Sequence, residues 1–404
     1  MIFGLAQLSF ARALPPAAPN ALAGLTQVSR VNLPHVAFAN LINESLYLAT
    51  FDGNPLGGKD YEFIVKDAST IVKNTAPVQP TQLKGQITWP NVATKAPASV
   101  FGVDGAVIAG GFLVPGKNNG GIWFQQKGTE NLVQIFAAKG FFYHIAQFYD
   151  VNQDGKMDIL TCRAAKSTFG GGSGDLTYLQ PVDRANPLGL WTETVIGKGC
   201  DTFFVLADMN NDGFMDIVSA EFWGSKLTLI ESANGRFDDS SLLKRTTIDS
   251  TAGQMFSVEM VDVNGDGVLD ILATNHDGKG KGSVFAYEVP KSVADPWARH
   301  VLATDFPVLQ KGIGQAAPGA AEAFYANKGD SGKPMIVVAG DASQKAYVLT
   351  PNSSSAADWS FTKNIVHDCG CTVGGIAVGD ADQNGKTELY IPCYDAGYLV
   401  TYSF

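Results

Sequence analysis

The segment DVNQDGKMDIL, residues 150–160, decides the fold. It is a loop with side-chain oxygens at its first, third, fifth and ninth positions and glycine at the sixth, running into an apolar, β-rich stretch. The pattern returns as DMNNDGFMDIV from Asp208, DVNGDGVLDIL from Asp262 and DADQNGKTELY from Asp380. These starts lie 58, 54 and 118 residues apart, and 118 is two periods of 59, so a copy is missing between the last two. ANKGDSGKPMIVV from Ala326 fills the gap in worn form, keeping one carboxylate, Asp330. Upstream, VFGVDGAVIAGG around Asp104 and FANLINESLYLAT around Asn40 are two more worn copies. Self-similarity at a fixed period is the mark of a repeat architecture.

Each unit reads as four short strands. FFYHIAQFY leads into the first acidic loop, MDILTC follows it, LTYLQP comes third and LWTETVIG closes the unit. Such runs, rich in β-branched and aromatic residues and bounded by Gly, Asp and Asn, are strand signals. Four-stranded units repeated about an axis make an all-β, seven-bladed β-propeller. The last unit ends after its third strand, GYLVTYSF, while GLTQVSRVNLP near the start resembles a fourth strand. The N-terminal strand is therefore expected to close the last blade and remove two sheet edges. Residues 21–404 read as one propeller, and residues 1–20 as an extension whose apolar Ile2–Phe10 run and Ala11-Arg12-Ala13 triplet make it a candidate signal segment without the usual basic start.

The loops carry the clearest chemistry. Ca²⁺ takes six to eight oxygen ligands, and a glycine permits the sharp turn. The expected ligands are Asp150, Asn152, Asp154, the Lys156 carbonyl and Asp158; Asp208, Asn210, Asp212, the Phe214 carbonyl and Asp216; Asp262, Asn264, Asp266, the Val268 carbonyl and Asp270; and Asp380, Asp382, Asn384, the Lys386 carbonyl and Glu388. An EF-hand is excluded, because its twelfth-position glutamate is replaced by Thr161, Ser219, Ala273 and Ile391 and both flanks read as strand. Asp/Asn/Gly clusters also form plain hairpin turns, but four with one ligand spacing at one period point to about four calcium sites. Four such ions bring the formal charge from −10 to −2. The acidic balance argues against duplex nucleic acid as a partner, and no apolar run is long enough to span a membrane.

At these residues the chain resembles the FG-GAP/VCBS repeat family, whose calcium-loop propellers occur in integrin α-subunit heads, fungal lectins and some sugar-processing enzymes. The resemblance implies a seven-bladed propeller with loop calciums stiffening blades on one face. It rests on four of seven units, and the FG-GAP signature itself survives only in fragments such as Phe101-Gly102.

On the face opposite the acidic loops, the turns between second and third strands place Asp52, Trp223, Asp277, Asp341 and Asp395 at equivalent positions, with Phe222, Asn275, His276 and Tyr394 beside them. Carboxylates with aromatic faces suit sugar hydroxyls and ring stacking, although Asp52-Gly53 and Asp277-Gly278 are also ordinary turn dipeptides. RAAKSTFGGGSGD, residues 163–175, reads as the longest loop on that face and a candidate lid. His35 and His144 fall near the starts of first strands, which line a propeller's channel; either, with Asp201, is a candidate general acid or base, against the more ordinary role of a hydrogen-bonded core histidine. No nucleophile or phosphate-loop motif is present.

Cys162 and Cys200 are placed to bridge blades three and four. Cys371 is expected to pair with Cys393, with Cys369 left over or serving as the alternative partner. A zinc site at His367, Cys369 and Cys371 lacks a second cysteine pair. Asn43-Glu44-Ser45 and Asn352-Ser353-Ser354 are glycosylation sequons. Together these features lean towards a secreted protein binding a glycan or glycoprotein, as a lectin or adhesion module. The alternatives are a sugar lyase or dehydratase working in the channel, and a structural matrix protein or complex subunit.

Overall fold

The computed structural model describes residues 22–53, 58–114, 116–166, 171–310 and 315–404. Seven antiparallel sheets of four strands form a ring. Blade one runs over residues 36–82, blade two 90–137, blade three 142–198, blade four 204–249, blade five 255–303 and blade six 321–368. Blade seven comprises residues 377–403 and the N-terminal strand Thr26–Asn32, which pairs with Tyr398–Ser403 and sets Arg30 opposite Val400. The closure read from the two ends of the sequence is therefore present. Val31 and Leu33 bury themselves with Tyr390 and Leu399, and the Arg30 guanidinium lies 3.5 Å over the Tyr398 ring. Pairing the last strand in this way leaves no open sheet edge between first and last blades.

Why the blades stack follows from strand alternation. In Asp270–Asn275, Ile271 packs with Val218 and Leu229 of blade four, while its neighbour Leu272 packs with Ile336 and Val338 of blade six. Successive side chains leave opposite faces of a strand, so one apolar run supplies both interfaces. Second strands are accordingly buried along their whole length in blades two, four, five, six and seven, whereas the outermost strand of blade five, Ala298–Ala303, is largely open. First strands of neighbouring blades touch one another, which places them about the central axis.

Bulges interrupt the pairing of first with second strands in blades one, two, three and five. They fall at the end of the blade away from the acidic loops, and Asn91, His144 and Phe256 lie inside them. A bulge bends its strand and re-aims the extra residue. Asn91 Nδ2 uses that freedom to donate to the carbonyls of Gly111 (3.0 Å) and Tyr143 (2.7 Å), tying blade two to blade three.

Three expectations change. Two short helices were not legible: Ser69–Lys73, inserted between the third and fourth strands of blade one, and Ala98–Phe101, which replaces the acidic loop of blade two. Gly102 ends the latter at φ 73°, and Phe101 stacks on Phe124 at 4.0 Å, so the Phe101-Gly102 pair is a helix cap and a core contact. The candidate lid is mostly strand: Asp158–Lys166 and Gly172–Pro181 pair from Ile159 and Leu179 out to Lys166 and Gly172, and residues 167–170 lie outside the described ones.

The cysteine expectations divide. Cys162 bonds Cys200, tying the second strand of blade three to the turn before blade four. Cys393 bonds Cys369, not Cys371. Gly370, at φ 64°, turns the chain between the two candidates, and the first strand of blade seven starts only at Ala377. Cys371 is left as a buried thiol beside Val373. With the Cys369 sulfur taken up in the disulfide and the His367 nitrogens each 3.0 Å from a tyrosine hydroxyl, of Tyr402 and Tyr398, the zinc grouping is not formed. The signal candidate, residues 1–20, lies outside the described residues.

Candidate functional site

The four acidic loops share one backbone. Asp150 accepts the amides of Asp154 (3.0 Å) and Gly155 (2.7 Å), and Asp208, Asp262 and Asp380 hold the equivalent amides of their own loops. The sixth-position glycines sit at φ between 82° and 90°, where a Cβ is strained. The ninth-position carboxylate is buried beneath each loop: Asp216, Asp270 and Glu388 accept the amides of Met209, Val263 and Ala381 at 3.0, 3.0 and 2.8 Å. Burial pushes these three up to about 6, 7 and 7. Asp380, Asp382 and Glu388 each bring a carboxylate oxygen within 4.8 Å of the others. A plain turn needs no buried ninth-position acid. An oxygen-only set of this density fits a hard divalent cation. Asp158 of blade three differs, because Arg184 donates to it at 2.6 Å.

The worn loop of blade six leans on the acidic loop of blade seven through Lys328 N to Gly385 O (2.7 Å) and Thr387 N to Ala326 O (3.0 Å). Between them lies a cleft of about 710 Å³ bordered by Tyr325, Asn327, Lys328, Asp380 and Asn384.

At the opposite end of the channel an aromatic belt runs from blade to blade. His35 meets Tyr394 (5.4 Å between ring centroids), Tyr394 meets Phe51 (5.4 Å), Phe51 stacks on Trp89 (3.9 Å) and Trp89 on Phe112 (4.8 Å). Phe112 meets Phe142 (5.7 Å), Phe142 meets His144 (5.4 Å) and His144 meets Phe203 (6.0 Å). The belt goes on through Phe256 (5.5 Å), His276 (4.9 Å), Phe222 (5.9 Å) and Trp223 (5.0 Å). Its members lie just before or within first strands and just after second strands, the same end of every blade. Phe51, Phe112, Phe203, Phe222, Trp223, Phe256, His276 and Tyr394 are only half-buried, so their faces or edges reach the mouth. Blade six supplies no ring; its contribution is Asp341, whose Oδ2 sits 2.9 Å from His276 Nε2.

Of the nine mouth residues expected from the sequence, Phe222, Trp223, His276 and Tyr394 join this belt, while Asn275 is buried and donates to the Ala252 carbonyl at 2.6 Å. Asp341 holds His276 in it. Asp52, Asp277 and Asp395 are turn residues at its edge: the Asp52 amide donates to Asp60, Asp277 accepts the Lys279 amide at 2.7 Å, and Asp395 accepts the Thr372 amide at 3.1 Å. Tyr394 donates its hydroxyl to the Phe51 carbonyl at 2.9 Å, and burial pushes that phenol up to about 12.

The channel candidates separate. His35 is exposed and in the belt. His144 is 6% exposed, its Nδ1 has no partner among the described residues, and burial among phenylalanines lowers it to about 4, so it is neutral at pH 7. Asp201, raised to about 7 by burial, accepts the amides of Phe222 (2.6 Å) and Trp223 (2.9 Å) and so anchors the aromatic turn. The belt residues Phe51, Trp89, Phe112, Phe142, Phe203 and Phe256 were not singled out from the sequence. The available signal was an aromatic at the start of the first strands of blades two to five, as in TWP, FFYH, TFF and QMF. Also unread were Glu259 and Glu322, on adjacent first strands, which burial raises to about 7 and about 8.

Residues 208–273, from the acidic loop of blade four to the second strand of blade five, match the FG-GAP-like repeat. The chain is a seven-bladed β-propeller that carries an FG-GAP-like repeat across blades four and five. No curated protein matches the chain in sequence. Among solved structures it is similar to the soluble aldose sugar dehydrogenase of Escherichia coli, at 11% identity and TM-score 0.44 over 79% of this chain and 96% of that one. It is similar also to a putative glucose dehydrogenase of Thermus thermophilus, at 12% and 0.45 over 79% and 98%, and to the polysaccharide lyase Uly1, at 12% and 0.45 over 92% and 90%. Likeness at this level says nothing of activity.

Proposed function

We propose that this propeller is a secreted, calcium-stabilised carbohydrate-binding module whose ligand sits on the aromatic mouth. The observation that carries the reading is the belt itself. Half-buried rings from five of seven blades are held open at one end of the channel, although burying them fully would stabilise the fold more. Aromatic faces take the apolar face of a sugar ring, and the rim supplies hydroxyl partners in Asp52, Asp277, Asp341 and Asp395. The acidic loops lie at the other end of each blade, so calcium has a stabilising role and no contact with the ligand. Two disulfides support an oxidising, extracellular setting.

The test is a glycan array with the full chain and with Trp223→Ala, in calcium and after chelation. Specific binding that Trp223→Ala loses at least tenfold supports the reading. A blank array from protein that melts cooperatively overturns it. Recovery of a chemically altered glycan favours the enzyme alternative, in which Asp201 is constrained because its carboxylate accepts two backbone amides.

A further inference from the structure

We infer that the acidic loop of blade three is closed by the protein's own guanidinium, so that the loaded chain holds three calcium ions, in blades four, five and seven. This rests on the calcium reading above and alters its count. Arg184, from the turn between the third and fourth strands of blade three, reaches down onto the loop. Its Nη2 lies 2.6 Å from Asp158 Oδ1 and 3.7 Å from Asp154 Oδ2, and its Nη1 donates to the Met157 carbonyl at 3.0 Å. Gln180 Nε2 covers the same carboxylate, 3.2 and 3.1 Å from its two oxygens.

Arg184 is held there by its own turn: Asp183 accepts the Ala185 amide at 2.9 Å and the Asn186 amide at 3.0 Å. Among the described residues, no lysine or arginine pairs with the loop carboxylates of blades four, five or seven. There the ninth-position acid has only neutral donors, such as the Met209, Val263 and Ala381 amides. Blade three thus keeps the ligand spacing and answers its charge with a fixed cation. A divalent ion bound among Asp150, Asp154 and Asp158 would share two carboxylates with a guanidinium and be repelled by it.

Native mass spectrometry of the full chain, titrated with calcium alone, counts the ions. Three on the wild type and four on Arg184→Gln support the inference. Asp150→Asn, which touches only blade three, should keep three, and Asp212→Asn should fall to two. Four on the wild type, an unchanged three on Arg184→Gln, or a fall on Asp150→Asn overturns the inference while leaving calcium binding intact. No calcium on the wild type overturns the calcium reading as well. Should Arg184→Gln fail to fold, the Asp150→Asn count decides alone.

Discussion

His276 Nε2 and Asp341 Oδ2, 2.9 Å apart, join blade five to blade six at the mouth of the channel. The contact holds the imidazole against Phe256, 4.9 Å away, and next to Phe222. Asp341 occupies the left-handed region at φ 50°, which asparagine also tolerates. Asp341→Asn therefore removes the charge and keeps the turn. We expect a loss of about 1 kcal/mol in urea-unfolding stability and several-fold weaker glycan binding, from a His276 ring no longer fixed in place.

A buried ion pair braces the other side of the mouth. Lys117 Nζ lies 2.8 Å from both oxygens of Asp60, which also accept the amides of Trp89 (2.8 Å) and Asp52 (3.2 Å). Removing one partner of such a pair typically costs about 3–5 kcal/mol. Asp60→Ala should reach that range, because it leaves the buried ammonium with only the Gly58 carbonyl and strands two amides. Lys117→Met should cost less, since the carboxylate keeps both backbone donors. Denaturation of the two variants and of the double variant gives the ordering, and equal losses would contradict it.

Glu259 and Glu322 give the pH dependence its sign. Burial raises both in the folded chain, to about 7 and about 8, with Glu259 further raising Glu322. Between pH 4 and 8 the folded state thus binds more protons than the unfolded one, and stability from this pair falls as pH rises. Glu322→Gln should flatten the decline, raising the melting temperature relative to wild type at pH 8 and leaving it nearly unchanged at pH 5. A melting temperature that climbs from pH 5 to 8 in wild type and variant alike would contradict this assignment.

The cysteine pairing makes a prediction of its own. Denatured, unreduced protein should alkylate at one position, Cys371. Replacing Cys162 and Cys200 by alanine should cost about 2–4 kcal/mol, read from the denaturation midpoint.

Period, strand count and closure were legible because a propeller repeats its turn chemistry. Asp150, Asp208, Asp262 and Asp380 mark one position in four blades, and alternation on either side of them does the rest. What the sequence hid depends on two segments distant along the chain. Arg184 looks like a surface arginine until the turn after Pro181 brings it onto Asp158. Cys369 and Cys371 are equal candidates until Gly370 turns the backbone between them. Phe51 and Trp89 each read as an ordinary strand-end aromatic, and only the ring of blades stacks them at 3.9 Å. The rim aspartates were found by position, but the structure gives three of them turn duties, as their Asp-Gly or Asp-Ala contexts permit.

The most direct test of the account is a crystal structure of the full chain with the strongest glycan from the array. A sugar ring is expected over the mouth, within van der Waals contact of the Phe51–Trp89 stack or the Phe222–Trp223 turn, with hydroxyls on the rim carboxylates. A glycan seated in the cleft between Lys328 and Asp380, on the acidic-loop face, would contradict it.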